Sequence, residues 1–316
     1  KRIFFTSGGS ESDSWALIGC ARLLRCKGNH IIVSAIEHHA ILHAAAFLED
    51  EGFEVTYLMP DAAGFIHPEN LLKAMRPDTI LVSIMMANNE IGTIQPISDL
   101  AYIAHTNGCE GCLFHTDAVQ AVGHIPVDVH DLGIDMLSAS AHKFNGPKGV
   151  GFLYIRNGLK VMPYSDGGAQ EFGLRAGTEN VAGIVGMAVA LKNNCDTLEE
   201  NTRYVARLES RFVSLLDSSG IKYVRNGGAN RLPGLLSLSF PGADGEAVLH
   251  RLDLKGICIS TGSACNSKNT EVSHVLQSIR LDDNYAKGTV RISLGKSNTE
   301  EDVETILKAL MKIFHT

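Results

Sequence analysis

The chain has 316 residues, 45% hydrophobic and 20% charged, ordinary values for a globular core, with a net charge of −7. The absence of a basic stripe argues against direct binding of nucleic acid, and no apolar run reaches the length of a membrane span. Seven cysteines spread thinly over such a length point to reduced thiols in a cytosol-like compartment, not to a disulfide framework.

The chain opens on Lys1-Arg2-Ile3-Phe4-Phe5 as though inside an element, so an N-terminal piece is expected to be missing, and no signal peptide is visible. Ile3 to Thr6 reads as a short strand. Ser7-Gly8-Gly9-Ser10 leads from it into a helix whose apolar face includes Trp15, Leu17, Ile18, Ala21 and Leu24. A strand, a glycine pair and a helix start are the parts of an anion site, with Ser10 as N-cap or phosphate ligand. Ile31 to Ser34 is a buried-type strand, and Glu37-His38-His39-Ala40 opens the next helix. Adjacent helical histidines point in different directions, which disfavours a metal shared by His38 and His39. Strands are expected at Glu54 to Leu58 and Thr79 to Met86, with a helix from Pro68 to Met75. The second strand runs into Asn88-Asn89, where open α/β sheets place ligands.

A helix is expected from Ile97 to Thr106. The strand from Cys112 to Ala118 carries Asp117 at its end, suited to pair with a buried positive charge or to cap a helix. Cys109 and Cys112 form an isolated CxxC without a second pair or a ligand cluster, which weighs against a metal or redox role. Asp135 to Ala141 is β-rich and delivers Lys143 into a turn closed by Asn145-Gly146-Pro147, with Ser140 and His142 beside it. A lysine held so suits Schiff-base chemistry with an aldehyde cofactor. A further strand, Val150 to Ile155, precedes a long Gly-rich loop, Gly167 to Asn180. From Val181 a helical stretch, broken near Asn193-Asn194, connects to an α+β second domain. That domain's strands are Leu235 to Phe240, Ile257 to Ser260 and Thr289 to Leu294, and its helices lie near Gly245 to Leu254 and Glu301 to Phe314. Cys265 falls in the small-residue loop Ser260 to Thr270, exposed as a travelling nucleophile would be, whereas Cys258 reads as a structural thiol inside a strand.

Taken in order, these stretches resemble the cysteine desulfurases of the NifS/IscS type, in the class V pyridoxal-phosphate aminotransferase superfamily. The likeness covers essentially the whole chain. It implies an α/β fold of pyridoxal-phosphate fold type I, with a large domain over residues 1–195 built on a mostly parallel, seven-stranded-type sheet. A smaller α+β domain over residues 196–316 carries the cysteine loop. The resemblance assigns Lys143 to the cofactor aldehyde. It assigns Gly9, Ser10, Ser140 and His142 to the phosphate, together with Thr178 from a partner subunit. His38 stacks on the pyridine ring, Asp117 pairs with its nitrogen and Gln120 bonds its hydroxyl. Asn89 and Arg291 hold the substrate carboxylate. Cys265 takes the sulfur, with His38 as a candidate base. No metal is implied.

The activity implied is conversion of L-cysteine to L-alanine, with a persulfide on Cys265 for a protein acceptor such as an iron–sulfur scaffold or a tRNA-thiolation protein. A cytoplasmic homodimer without membrane or nucleic-acid contact is implied as well. An aminotransferase or selenocysteine lyase on the same scaffold, and a non-catalytic sulfur-transfer partner protein, are the alternatives. Phe172 stands where an arginine is common in such proteins, Ser14 stands where an asparagine is common, and their usual N-terminal strand and Asn/Ala/Thr-rich turn have no counterpart here.

Overall fold

A computed structural model describes residues 2–262 and 272–315. The chain divides into two compact units. One comprises Lys1–Pro60, Ile66–Ala87 and Gln95–Asp196; the other comprises Asp61–Phe65, Asn88–Ile94 and Thr197–Thr316. Two short excursions, one of them carrying Asn88 and Asn89, thus cluster with the C-terminal half of the sequence.

The first unit is built on seven strands: β1 (Arg2–Thr6), β2 (His30–Ser34), β3 (Glu54–Leu58), β4 (Thr79–Ser83), β5 (Leu113–Asp117), β6 (Met136–Ser140) and β7 (Gly151–Ile155). They lie in the order β1-β7-β6-β5-β4-β2-β3. The pairs β2–β3, β2–β4, β4–β5 and β5–β6 are parallel, whereas β7 runs antiparallel to both β1 and β6. Strands β2, β4, β5 and β6 are buried along their whole length, which is why they read as unbroken apolar or small-residue runs without alternation. Because the four are parallel, their C-terminal ends, Ser34, Ser83, Asp117 and Ser140, share one edge of the sheet, the edge where such sheets place ligands.

Helix α1 (Gly9–Leu24) packs on β4 to β7 and against α2 (His39–Asp50), burying Trp15, Leu17 and Ala21. Its N-cap is Gly8, with no side-chain cap, so Ser10 sits inside the first turn and is not the N-cap. Helix α2 opens one residue later than the acid at position 37 suggests: His38 is its N-cap, and Nδ1 accepts from the Ala40 amide at 3.1 Å. Helices α3 (Pro68–Ala74) and α4 (Ile97–Asn107) pack on each other. A short helix, α5 (Gln170–Gly173), interrupts the Gly-rich loop. Helix α6 (Val181–Asp196) continues through Asn193 and Asn194 without a break and ends before Thr197.

The second unit has a three-stranded antiparallel sheet, β10 (Thr289–Ser293), β9 (Leu235–Ser239) and β8 (Val224–Arg225), in that order. Helix α7 (Leu198–Ser218) buries Val205, Leu208, Phe212 and Leu216, spaced three or four apart as one helical face requires. That face meets Leu236, Leu238, Val290 and Ile292 of the sheet and Val303, Leu307 and Leu310 of α11 (Glu300–Phe314) in one apolar core. Asp244 caps α8 (Gly245–Asp253), and a Thr299/Asp302 capping box starts α11. Two short helices, α9 (His274–Ser278) and α10 (Asp283–Ala286), precede β10.

Ile257 to Ser260 does not form the strand its composition suggests. Only Ser260 pairs, in an isolated bridge with Arg291, and Cys258 is exposed instead of buried in a strand. The ladder position beside β10 is engaged at a single residue, so the β-branched run gains no further backbone partners there.

Candidate active site

The first unit gathers most of the expected residues at the C-terminal edge of its parallel strands. Gly8 has φ 156°, and a Cβ there would stand 3.5 Å from Ser140 Oγ; one on Gly9 would lie 2.7 Å from Val119 Cγ2 and 3.6 Å from Ser140 Cβ. Side chains at these two positions would fill the space between the start of α1 and the end of β6. With glycines there, free N–H groups of a sixteen-residue helix face a serine hydroxyl. Ser140 Oγ is 2.9 Å from His142 Nδ1, so the two polar groups act as a pair. Burial, and then the charges of Lys143 and Lys148, push the His142 imidazole below its usual range.

Lys143 is exposed on a single 3-10 turn, Ala141–Phe144. The turn is pinned from both sides of its backbone. His124 Nε2–H donates to the Lys143 carbonyl at 2.7 Å, and Asn194 Nδ2 donates to the Phe144 carbonyl at 2.6 Å. Phe144 is fully buried, and Asn145 closes the turn in the left-handed region at φ 65°. His124 and Asn194 were not among the expected site residues. Their signal is spatial, since Asn194 lies fifty residues on in α6.

Asp117 ends β5 almost fully buried, with Oδ1 accepting from the Val119 amide at 2.9 Å. No helix follows, so it caps a turn. Burial raises its pKa to about 6, opposed by the Val119 N–H and by the charge of Lys143. Two more acids belong to this buried region. Asp13 of α1 is pushed well above the usual carboxylate range, first by burial and then by the Asp117 charge. Glu37, which accepts from Ser34 Oγ and from the Met85 amide at 2.8 Å, is raised by burial to about 8. His115 lies two residues before Asp117 and so on the same face of β5. Its ring bridges Ser83 Oγ at 2.8 Å and Ser138 Oγ at 2.9 Å, and burial drives its pKa down to about 3. A neutral imidazole has one donor and one acceptor, which these two hydroxyls satisfy. Of the three acids Asp117, raised to about 6, ionises at a lower pH than Glu37, raised to about 8, while burial holds the His115 ring neutral and pushes Asp13 toward its protonated form.

His38 is half-buried beside Glu37, and Gln120 lies half-buried three residues after Asp117. Ser10 and His38 line a cleft of about 440 Å³ with Ser14, Ile18, His39, His43 and Phe47. Thr178 is exposed in the segment after Arg175, which α1 holds through the Arg175–Glu11 ion pair at 2.9 Å. Phe172 is 76% exposed, has φ 60°, and sets its ring edge-on to Phe4 at 5.9 Å. Cys109 and Cys112 are buried, and burial raises both thiols, Cys112 to about 12, which suppresses the thiolate that redox or metal chemistry needs.

In the second unit the Asn88 side chain accepts from the Glu90 and Ile91 amides and builds the turn, leaving Asn89 half-exposed. Arg291 Nη1 donates to the Asn89 carbonyl at 2.8 Å, so these two expected substrate residues do meet. Glu90, buried, accepts from Ser273 Oγ at 2.6 Å. Cys265 lies outside the described residues.

The family model for aminotransferase class-V matches residues 1–306. The chain belongs to the class-V aminotransferase family. It is 50% identical over 316 residues to a cysteine desulfurase IscS of Clostridium botulinum strain Hall, covering 99% of this chain and 79% of that protein. It is also 50% identical over 313 residues to a cysteine desulfurase IscS of Methanosarcina thermophila, covering 99% of this chain and 77% of the relative. A solved NifS-like protein superposes with a TM-score of 0.92 at 42% identity, over 99% of this chain and 82% of that one. Enzymes of this family depend on pyridoxal phosphate. The residues present fit that cofactor: a glycine cradle at a helix start for an anion, a buried acid for a ring cation, and an exposed amine on a fixed turn for an aldehyde.

Proposed function

We propose that this chain is a pyridoxal-phosphate-dependent cysteine desulfurase that converts L-cysteine to L-alanine and leaves the sulfur as a persulfide on Cys265. The observation that carries the reading is Asp117. It is a buried carboxyl at the ligand edge of the sheet, held by the Val119 amide, and burial raises it less than it raises Glu37.

The cofactor, when bound, supplies an electron sink for the carbon that bears the substrate amine. Lys143 would supply the amine that holds the cofactor aldehyde and the base that moves the substrate Cα proton. Gly9, Ser10, Ser140 and His142 would hold the phosphate, His38 would lie against the ring, Asp117 would keep the ring nitrogen protonated and Gln120 would bond the ring hydroxyl. Asn89 and Arg291 orient the substrate carboxylate. The Cys265 thiolate attacks substrate Sγ, an S–S bond forms and the C–S bond breaks. The electron pair stays on carbon, which takes up a proton to become alanine, with His38 the candidate for deprotonating the thiol. The sulfur leaves as sulfane, so no external oxidant is needed.

The finer reading is a homodimer in which Thr178 of one subunit completes the phosphate site of the other. An exposed apolar face on α6, Val181, Val185 and Val189, and the exposed position of Thr178 support it. The acceptor is a protein, an iron–sulfur scaffold or a tRNA-thiolation protein. A cytoplasmic setting suits the six described cysteines, all of them free. Among the described residues no helix is long and apolar enough to cross a membrane.

The test is alanine release from L-cysteine, with sulfide release measured in the presence of an added dithiol that reduces the persulfide. Lys143→Ala is expected to lose at least about 10³-fold and Cys265→Ser to abolish desulfuration while keeping the cofactor absorbance. Turnover of cysteine that survives Cys265→Ala would favour an aminotransferase or a selenocysteine lyase. A purified protein that stays colourless with added pyridoxal phosphate would sink the catalytic reading altogether.

A further inference from the structure

His39 and His43 do not serve the reaction above, yet they sit together on α2. One is the first residue of the helix and the other lies a turn later, so both project from the same face. Their ring centroids are 5.4 Å apart, with planes inclined by 33°. Two imidazoles bound to one zinc ion at about 2.0–2.1 Å, with a near-tetrahedral angle between them, place their centroids roughly 5 Å apart. The observed pair is within a few tenths of an ångström of that spacing. His38 differs: its ring is 6.4 Å from that of His39, and its Nδ1 is taken by the Ala40 amide.

We propose that His39 and His43 form a binding site for a divalent transition metal of the zinc class. The spacing of one helical turn is the one by which two histidines of a helical H-E-x-x-H motif hold zinc. Both rings line the cleft of about 440 Å³ together with the Ser10 and Ser14 side chains, which leaves room for water to complete the coordination. His43 is exposed, so the metal has a path in from solvent. Among the described residues no cluster of three or more histidine, cysteine or acidic side chains is suited to a metal. Among the described residues the protein thus supplies two ligands, unlike the four of a closed structural zinc site. Imidazole donors select zinc, copper or nickel over magnesium or calcium.

The experiment uses metal-free holoenzyme in thiol-free buffer, with Zn²⁺ titrated against a chromophoric chelator. Wild type is expected to show one site whose affinity falls roughly 10–100-fold in His43→Ala and in His39→Ala, the scale on which a metal site responds to loss of a supporting partner. His130→Ala, at an exposed position elsewhere, is expected to leave it unchanged. Exposed Cys26, Cys195 and Cys258 also attract zinc. Co²⁺ therefore serves as a second probe, and the His39/His43-dependent band is expected to lack sulfur-to-cobalt charge transfer. Far-UV circular dichroism establishes that the variants are folded. Equal zinc affinity in wild type and in the His39→Ala/His43→Ala protein, or a cobalt spectrum unaltered by both changes, would overturn the proposal.

Discussion

The two units bury different kinds of side chain. Between α1 and the parallel strands the first unit encloses Asp13, Glu37, His115 and Asp117, four titratable groups linked by serine hydroxyls and backbone amides. Around its sheet the second unit encloses hydrocarbon, and the polar groups buried on the sheet strands, Ser237, Ser239 and Thr289, are neutral. Asn226 Nδ2 donates to Ser239 Oγ at 2.8 Å, and Ser239 meets Thr289 Oγ1 at 2.7 Å. Ion pairs on its helix surfaces, such as Arg211 with Glu304, are solvent-exposed and contribute little, whereas Arg225 with Glu209 is more shielded. One core is therefore optimised for packing, while the other gives up stability to hold a charge where chemistry needs it.

The comparison breaks first if the packed core proves tolerant. Phe212 is fully buried on α7, and Phe212→Ala is expected to cost about 3–5 kcal/mol in urea unfolding, transfer plus cavity. A cost under about 1 kcal/mol would mean that the site collapses and that the apolar core is not what holds this unit.

Asp117 offers the opposite sign. A carboxyl whose folded pKa is raised from 3.8 to about 6 favours folding while protonated; that advantage is full below pH 3.8 and is lost as pH rises to about 6. Asp117→Asn is therefore expected to stabilise the cofactor-free protein by up to about 3 kcal/mol at pH 7, while cysteine turnover falls by at least about 10²-fold. If the variant were less stable than wild type at pH 7, the charge would not be the strained element.

His115 sharpens the same point in the acid range. Burial lowers its folded pKa from 6.5 to about 3, so below pH 6.5 the unfolded chain takes up a proton that the folded one refuses. Stability falls with falling pH at about 1.4 kcal/mol per pH unit, roughly 2 kcal/mol between pH 6.5 and 5. The raised carboxyls slope the other way, so the quantity to measure is the difference between wild type and His115→Gln. That difference should flatten above pH 6.5, and a difference independent of pH would place the histidine's proton elsewhere.

What the sequence could show of all this follows from how local each cause is. The strands of the first unit are legible because burial on both faces leaves unbroken runs such as Thr79 to Ser83. Ser140, His142 and Lys143 stand within four residues of one another, so their grouping is visible in the sequence, whereas the contacts of His124 and Asn194 that pin the turn are not. Ile257 to Ser260 misleads, because β-branched composition reports a preference and not the presence of a ladder partner, and only Ser260 finds one. Strand β8, with two residues, is too short for any periodicity. The charge group around Asp117 is not legible, since Asp13 and Glu37 stand about a hundred and about eighty residues before it in the sequence, on two different elements. The His39–His43 pair, by contrast, is legible from helical spacing, because the two residues lie four apart on α2.

Ser273 gives the smallest effect and the most local one in the second unit. Its Oγ accepts from the Val275 amide at 3.1 Å as the N-cap of α9, and donates to the buried Glu90 carboxylate at 2.6 Å. A Cβ on Gly262 would stand 3.6 Å from the same Glu90 oxygen, so described residues on either side of 263–271 converge on one acid. Ser273→Ala removes a cap and a charge-assisted bond together and is expected to cost about 1–2 kcal/mol. Ser273→Thr retains a hydroxyl that can fill both roles and should recover most of that loss. Urea midpoints of the two variants decide it. If alanine and threonine behave alike, the hydroxyl is incidental, and the buried Glu90 carboxyl is held by its other contacts. If threonine alone recovers, a single hydroxyl joins helix start to carboxylate, and even the hydrocarbon-filled unit keeps one charge in place beside the segment that carries Cys265.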